Sequence, residues 1–261
     1  MRLHVHEWGE RRSPALVCLH GVTGHGRRFR KLAQEHLAAR FRVVAPDLRG
    51  HGRSGWEPPW RIETHVADVL ETLDELGVDR TTLLGHSFGG RLALELAARM
   101  PDRIERVVLL DPAIQVLPPV ALRSAEDYRR ERVFDSVEHA IRDRLAGDPG
   151  NPVWALEEEM REHLEAGSDG RLRPRVAQAA VVAMYGELAT EPPPPETLRA
   201  DTLLVYAPAF GLVRDEQLSD YDASLGERMT VVPVGGGHMV YWDAYEETAA
   251  AIDAFLDGST S

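Results

Sequence analysis

Gly85-His86-Ser87-Phe88-Gly89 sets a serine between two glycines, and its flanks decide how the chain folds. Before it, Thr81-Thr82-Leu83-Leu84 is a short β-branched and aliphatic run, the pattern of a buried strand. After it, Arg91-Leu92-Ala93-Leu94-Glu95-Leu96-Ala97-Ala98-Arg99 is rich in helix formers and stops before Pro101. A serine on such a strand-to-helix turn is forced into a strained backbone conformation, and glycines around it let the two elements approach closely. Its hydroxyl is then exposed at the carboxyl edge of a sheet, over a helix N-terminus whose amides favour negative charge. Ser87 is therefore the candidate nucleophile.

Outward from this turn, the first half of the chain alternates short apolar runs with helical periodicity, which predicts parallel βαβ units. The expected strands are 3–8, 15–20, 42–46, 81–85 and 106–111. Between the third and fourth, Ile62, Val66, Val69, Leu73 and Leu76 recur at helical spacing, and Gly77 closes that helix where a left-handed residue is favoured. From about 113 to 195 the alternation stops. Phe134, Val137, Ile141 and Leu145 form one apolar stripe, Val153, Leu156, Met160 and Leu164 another, and a third helical stretch runs from about Pro174 to Leu188. The expected organisation is a core of residues 1–112 and 196–261 with a three-helix insertion at 113–195. Pro192-Pro193-Pro194-Pro195 reads as a stiff, extended connector back to the sheet. Strands at 202–206 and 229–233 follow. Trp242, Tyr245, Ala249, Ile252 and Leu256 mark a last helix, and 258–261 a frayed end.

Composition narrows the function classes. The 261 residues suffice for one α/β domain with a sizeable core. Thirty basic against 42 acidic residues give a net charge of −12, which argues against nucleic acid or an anionic membrane as the main partner. All but one of the basic residues are arginine, Lys31 being the exception. The single Cys18 lies in an apolar strand and reads as a buried core residue, with no internal disulfide to form. The N-terminus lacks the apolar run of a signal peptide, and no segment approaches the length of a membrane span, so a cytoplasmic protein is expected.

A serine hydroxyl needs a neighbouring base, and that base an orienting carboxylate. Gly235-Gly236-Gly237-His238-Met239 follows the last expected strand, where the His238 ring can reach back across the sheet's carboxyl edge. A tetrahedral intermediate also needs backbone amides aimed at its oxygen. One is expected from Phe88, directly after the serine, and the other from Val22 in Leu19-His20-Gly21-Val22-Thr23-Gly24-His25-Gly26.

Together these pieces resemble the α/β-hydrolase superfamily, over essentially the whole chain: His20-Gly21 after a strand, Pro46-Asp47-Leu48-Arg49-Gly50-His51-Gly52-Arg53-Ser54, the Ser87 turn, and His238 in the order nucleophile, acid, histidine. The resemblance implies a mostly parallel, doubly wound sheet with a helical cap over the site. It gives 46–54 a mainly structural role, leaving Asp47 and His51 outside the catalytic set. The acid departs from the usual pattern. In most of the superfamily it follows the penultimate strand, where this chain has Tyr206-Ala207-Pro208-Ala209-Phe210-Gly211-Leu212-Val213-Arg214-Asp215. Phe210 stands about where the carboxylate belongs, and Asp215 comes late and suits the first turn of a helix. Asp111 ends the strand Val107-Val108-Leu109-Leu110, the alternative position used by the haloalkane dehalogenase branch and some lipases. Asp111 is the preferred acid, with Asp215 and a displaced or missing acid as alternatives.

The expected activity is hydrolysis of a carboxylic ester, thioester or lactone of a small to medium apolar molecule. No cofactor is implied, and a serine at the turn argues against dehalogenase or epoxide hydrolase chemistry. A cofactor-free haloperoxidase-like perhydrolase and a carbon–carbon bond hydrolase would use a similar triad. A protein that kept the fold only to bind a ligand is the rival from another class. His4-x-His6 puts two rings on one strand face, but no Cys, Asp or Glu cluster completes a metal set. Trp56, Trp60, Tyr241 and Trp242 flank the expected pocket loops and read first as packing. His86 sits within the turn with no catalytic role required, and Tyr128-Arg129-Arg130-Glu131-Arg132 reads as a solvated helix face.

Overall fold

A computed structural model describes residues 1–147 and 150–258. The frayed end expected at 258–261 lies outside these apart from Gly258.

Seven strands form one sheet: β1 (Val5–Trp8), β2 (Ala15–Leu19), β3 (Arg42–Pro46), β4 (Thr81–His86), β5 (Ile104–Leu110), β8 (Asp201–Tyr206) and β9 (Met229–Pro233). Their order is β1-β3-β2-β4-β5-β8-β9. Only β1 runs antiparallel, pairing Val5 with Pro46; the remaining pairs are parallel. Side chains alternate between faces as the strand period requires. Val17, Leu83, Val107, Leu109 and Leu204 join the core on one face, and Leu16, Cys18, Leu84, Val108, Leu110 and Leu203 the core on the other. Both faces are covered, so the central strands read as continuous apolar runs.

The chain leaves β2 for β3 on one side and then returns to place β4 on the other. In open α/β sheets, ligands bind at the strands' carboxyl ends where the order reverses in this way. Here that crevice receives the loop after β2 and the Ser87 turn after β4.

Helix α1 (Arg30–Leu32) is a single turn within the helical stretch 26–37, which the sequence pattern did not indicate. Helix α2 (Ile62–Glu75) ends at Gly77, whose φ is +67°, and α3 (Phe88–Arg99) follows the serine. Between β5 and β8 lies the insertion, richer than the three helices expected. It holds α4 (Pro118–Asp127), α5 (Val137–Gly147), α6 (Val153–His163), a hairpin of β6 (Leu164–Ala166) and β7 (Leu172–Pro174), and α7 (Gln178–Leu188). Leu164, expected on a helical stripe, therefore begins a strand. α8 (Asp215–Leu225), α9 (Val240–Asp243) and α10 (Tyr245–Leu256) complete the chain. Pro194 keeps the extended backbone that the proline run implies, with a short helical turn at Pro195–Thr197.

The insertion is fastened to the core by backbone and charge. Gly52 N–H donates to Arg175 O at 2.8 Å, and Ala177 N–H to Gly50 O at 2.8 Å. Glu159 of α6 accepts from Arg28 and lies 2.8 Å from His25 Nε2, all three side chains being buried.

Candidate active site

Ser87 has φ 54° and ψ −118°, a region that a non-glycine residue enters only when its surroundings force it. The forcing is visible on both sides. A Cβ at Gly85 would stand 2.3 Å from Gly89 O, and one at Gly89 1.9 Å from Leu19 O, so both glycines are steric requirements of the turn. Ser87 N–H donates to Leu110 O at 3.2 Å, and Ser87 O accepts from Gly90, Arg91 and Ala113 N–H. The serine is thereby tied to β5 and to the loop that carries Asp111.

Asp111 is fully buried, has φ 39°, and its N–H donates to Val205 O at 2.7 Å. Its Oδ1 accepts the Ala207 amide at 3.1 Å, and its Oδ2 lies 2.6 Å from His238 Nδ1. Aspartate tolerates positive φ better than most residues, so the sharp turn is compatible with a carboxylate here. Asp215, the alternative, lies in the exposed first turn of α8. The structure thus brings Asp111 to His238. The His238 ring is held between two others. Phe210 stacks on it at 4.8 Å with planes 12° apart, and His86 sits 4.6 Å away, its Nε2–H donating to His238 O at 3.0 Å. Burial, reinforced by His238, holds His86 well below the ordinary histidine pKa, so it stays a neutral donor.

The loop after β2 is fixed by a chain of hydrogen bonds. Leu48 N–H donates to His20 Nε2 at 2.9 Å, which leaves the proton on Nδ1 to be donated to Gly21 O at 2.8 Å. Gly21 O belongs to the same peptide group as the Val22 N–H, so His20 orients that amide. Burial, with His51 beside it, keeps His20 neutral by lowering its pKa well below the usual value. A Cβ at Gly21 would lie 2.9 Å from Ser87 Cβ, which places this peptide directly against the serine. The Phe88 amide opens α3, in the first turn where N–H groups lack intrahelical acceptors. His51 Nε2 meets Val22 O, so the 46–54 stretch braces the same loop.

A cavity of about 390 Å³ lies above Ser87, Gly21, Val22 and His238. Val116, Val120, Tyr185 and Leu188 of the insertion and its approaches, and Phe210 and Leu212 after β8, supply its apolar wall. A second cavity of about 280 Å³ adjoins it between the insertion and the core; Trp56 and Trp242 line this one, whereas Tyr241 is core.

The family described as alpha/beta hydrolase fold matches residues 14–245. The chain belongs to this family. Among α/β hydrolases it is 34% identical to "Lipase LipV" of Mycobacterium tuberculosis, over 97% of each chain. It is 29% identical to "2-(acetamidomethylene)succinate hydrolase" of Mesorhizobium japonicum, over 98% of this chain and 91% of that protein. A crystal structure of E-2-(acetamidomethylene)succinate hydrolase superposes with a TM-score of 0.88 at 26% identity, covering 98% of this chain and 95% of that one. No helix among the described residues of this hydrolase is long and apolar enough to cross a membrane.

Among the described residues, two side-chain groups bring metal-capable atoms within 4.8 Å of one another: His4, His6 and Asp47, and His25, Glu159 and His163. The first corrects the expectation that no acid completes the His4-x-His6 pair. Antiparallel pairing of β1 with β3 delivers Asp47 from a distant stretch of sequence. Asp47 is already occupied, accepting Gly26 and Arg53 N–H at 2.8 and 2.9 Å. In the second group both Glu159 oxygens accept from Arg28. Burial works against that carboxylate's charge, yet Arg28 and His25 hold its pKa well below the usual range. Sequence reading missed Arg28, Glu159 and the orienting role of His20; only contacts across the fold reveal them.

Proposed function

We propose that this α/β hydrolase is a serine hydrolase acting on a carboxylic ester, thioester or lactone of a small to medium apolar molecule. The observation that carries the reading is the 2.6 Å contact between Asp111 Oδ2 and His238 Nδ1 behind a serine held at positive φ. Asp111 keeps the proton on Nδ1, so Nε2 takes the Ser87 proton as the oxygen attacks the carbonyl. The amides of Val22 and Phe88 receive the developing oxyanion in a site already shaped for it. His238 then returns the proton to the leaving group, and water resolves the acyl-enzyme with His238 as base. Residues 113–195 act as a helical cap that shapes the substrate space. That the relatives above carry the names of a lipase and a succinate-derivative hydrolase supports acyl transfer to water.

Intact-mass analysis after a fluorophosphonate probe tests this reading. One adduct is expected on the wild type and none on Ser87→Ala. An unlabelled wild type, or labelling that persists in Ser87→Ala, refutes it.

A further inference from the structure

The formally charged side chains lining the cavity above Ser87 are Arg28, Arg132, Arg144 and Asp143. Their pairing is unequal. Arg28 is committed to Glu159 through Nε, with Oε1 and Oε2 at 2.9 and 3.0 Å. Arg132 Nη1 lies 3.7 Å from Asp143 Oδ2, beyond hydrogen-bond distance. Arg144, half-buried in the last turn of α5, has no ion-pair partner among the described residues. Glu159 and Asp143 together offset two of the three guanidinium groups. Among the described residues the cavity therefore carries one positive charge in excess, inside a protein whose net charge is −12.

Next to these groups the wall turns aromatic. Arg132 lies 5.0 Å over the Tyr128 ring, and Tyr128 stacks on Tyr185 at 5.8 Å. The stacking holds a side chain that would otherwise swing in solvent, and a guanidinium held in place is a planar fork that matches a carboxylate. Tyr185 is half-buried, and burial raises its pKa, so its hydroxyl stays protonated and able to donate. A single excess charge suits a monoanionic carboxylate better than a dianionic phosphate. The Arg-rich stretch at 128–132, which the sequence alone assigns to a solvated face, faces the cavity through Tyr128 and Arg132.

We infer that the substrate bears a carboxylate on the group that fills this cavity, and that Arg144 and Arg132 bind it at the end of an otherwise apolar chain. This rests on the hydrolase reading above and adds a charge requirement to it.

The test compares the 4-nitrophenyl monoester of adipic acid with the same compound methylated at its far carboxyl, spontaneous hydrolysis being subtracted. A carboxylate gaining charge-assisted bonds is expected to raise kcat/KM about ten- to a hundredfold over the neutral ester, mainly through KM. In Arg144→Gln, and separately in Arg132→Gln, the ratio of the two rates falls toward one. Loss of folded protein lowers both rates together and leaves their ratio untouched. A wild-type ratio of one or less overturns the inference, as does a ratio unchanged in both variants. A thermal-shift titration with adipate against dimethyl adipate reads the same preference without turnover. If neither ester is hydrolysed and the fluorophosphonate probe leaves the wild type unlabelled, the serine-hydrolase reading fails, while stabilisation by adipate alone still supports the anion site and equal stabilisation overturns it.

Discussion

Asp111→Asn exchanges one atom, and the surroundings dictate which. Asparagine also enters the left-handed region, so the φ of 39° survives the substitution. The Ala207 amide donates to Oδ1 at 3.1 Å, and a donor there keeps the new side chain's oxygen in that place. Its NH₂ must then occupy the position of Oδ2, facing His238 Nδ1. Two donors cannot meet, so the imidazole moves its proton to Nε2, the nitrogen that has to accept the serine proton. Losing a charge-assisted hydrogen bond costs about 1.5–3 kcal/mol. The wrong tautomer and an unsupported imidazolium bring the barrier increase to about 5 kcal/mol, near 10⁴ in kcat, as in other sites of this kind. Initial rates on 4-nitrophenyl butyrate at neutral pH measure the loss, with Asp215→Asn as a comparison expected to keep wild-type activity. If Asp111→Asn retains more than about a tenth of the wild-type rate, one tenfold step, the assignment of the acid is wrong.

Gly21→Ala puts a methyl 2.9 Å from Ser87 Cβ and 3.4 Å from Ser87 Oγ, so the peptide beside the serine must shift, and kcat is expected to fall about a hundredfold. An unchanged kcat refutes the placement of that peptide. Glu159→Gln leaves the buried Arg28 guanidinium without its counter-charge and should cost roughly 3–5 kcal/mol of stability by urea denaturation; a loss under about 1 kcal/mol contradicts the clamp. Burial lowers the pKa of His65 and His163 to about 3, and of His20 and His86 well below the usual value. Folded pKa values below the unfolded ones mean the stability is complete above about pH 6.5 and lost as pH falls toward 3, at about 1.4 kcal/mol per pH unit per histidine. His65→Leu should remove one proton from that slope, measured by urea denaturation between pH 6.5 and 5, and a slope that does not change counts against it.

The core sheet and the Ser87 turn were legible because local rules govern them: parallel strands buried on both faces read as apolar runs, and the tight turn admits only glycine at Gly85 and Gly89. The insertion was less so. Helix α4 starts on Pro118-Pro119, which a helix accepts in its first turn, and buries only Ala121 and Ala125, too small to mark a stripe. The β6–β7 hairpin has strands of three residues bearing Glu165 and Arg173 on a half-exposed face, so its alternation carries little hydrophobic contrast. The pairing of Asp111 with His238 could be ranked from strand position, but the contact depends on the β5–β8 register, which no local pattern encodes. Arg28 and Glu159 meet across 131 residues of chain, and neither looks unusual in sequence.

Phe210 stands half-exposed on the His238 ring, close to where relatives of the usual pattern keep their acid. In the proposed triad Asp111 holds the imidazole from the end of β5, which would leave the loop after β8 outside the proton chemistry. Its side chains can vary to remodel the entrance while the relay behind them stays intact. Phe210 and Leu212 both line the cavity above Ser87, so under that triad substitutions at these two positions are expected to shift substrate preference without abolishing activity.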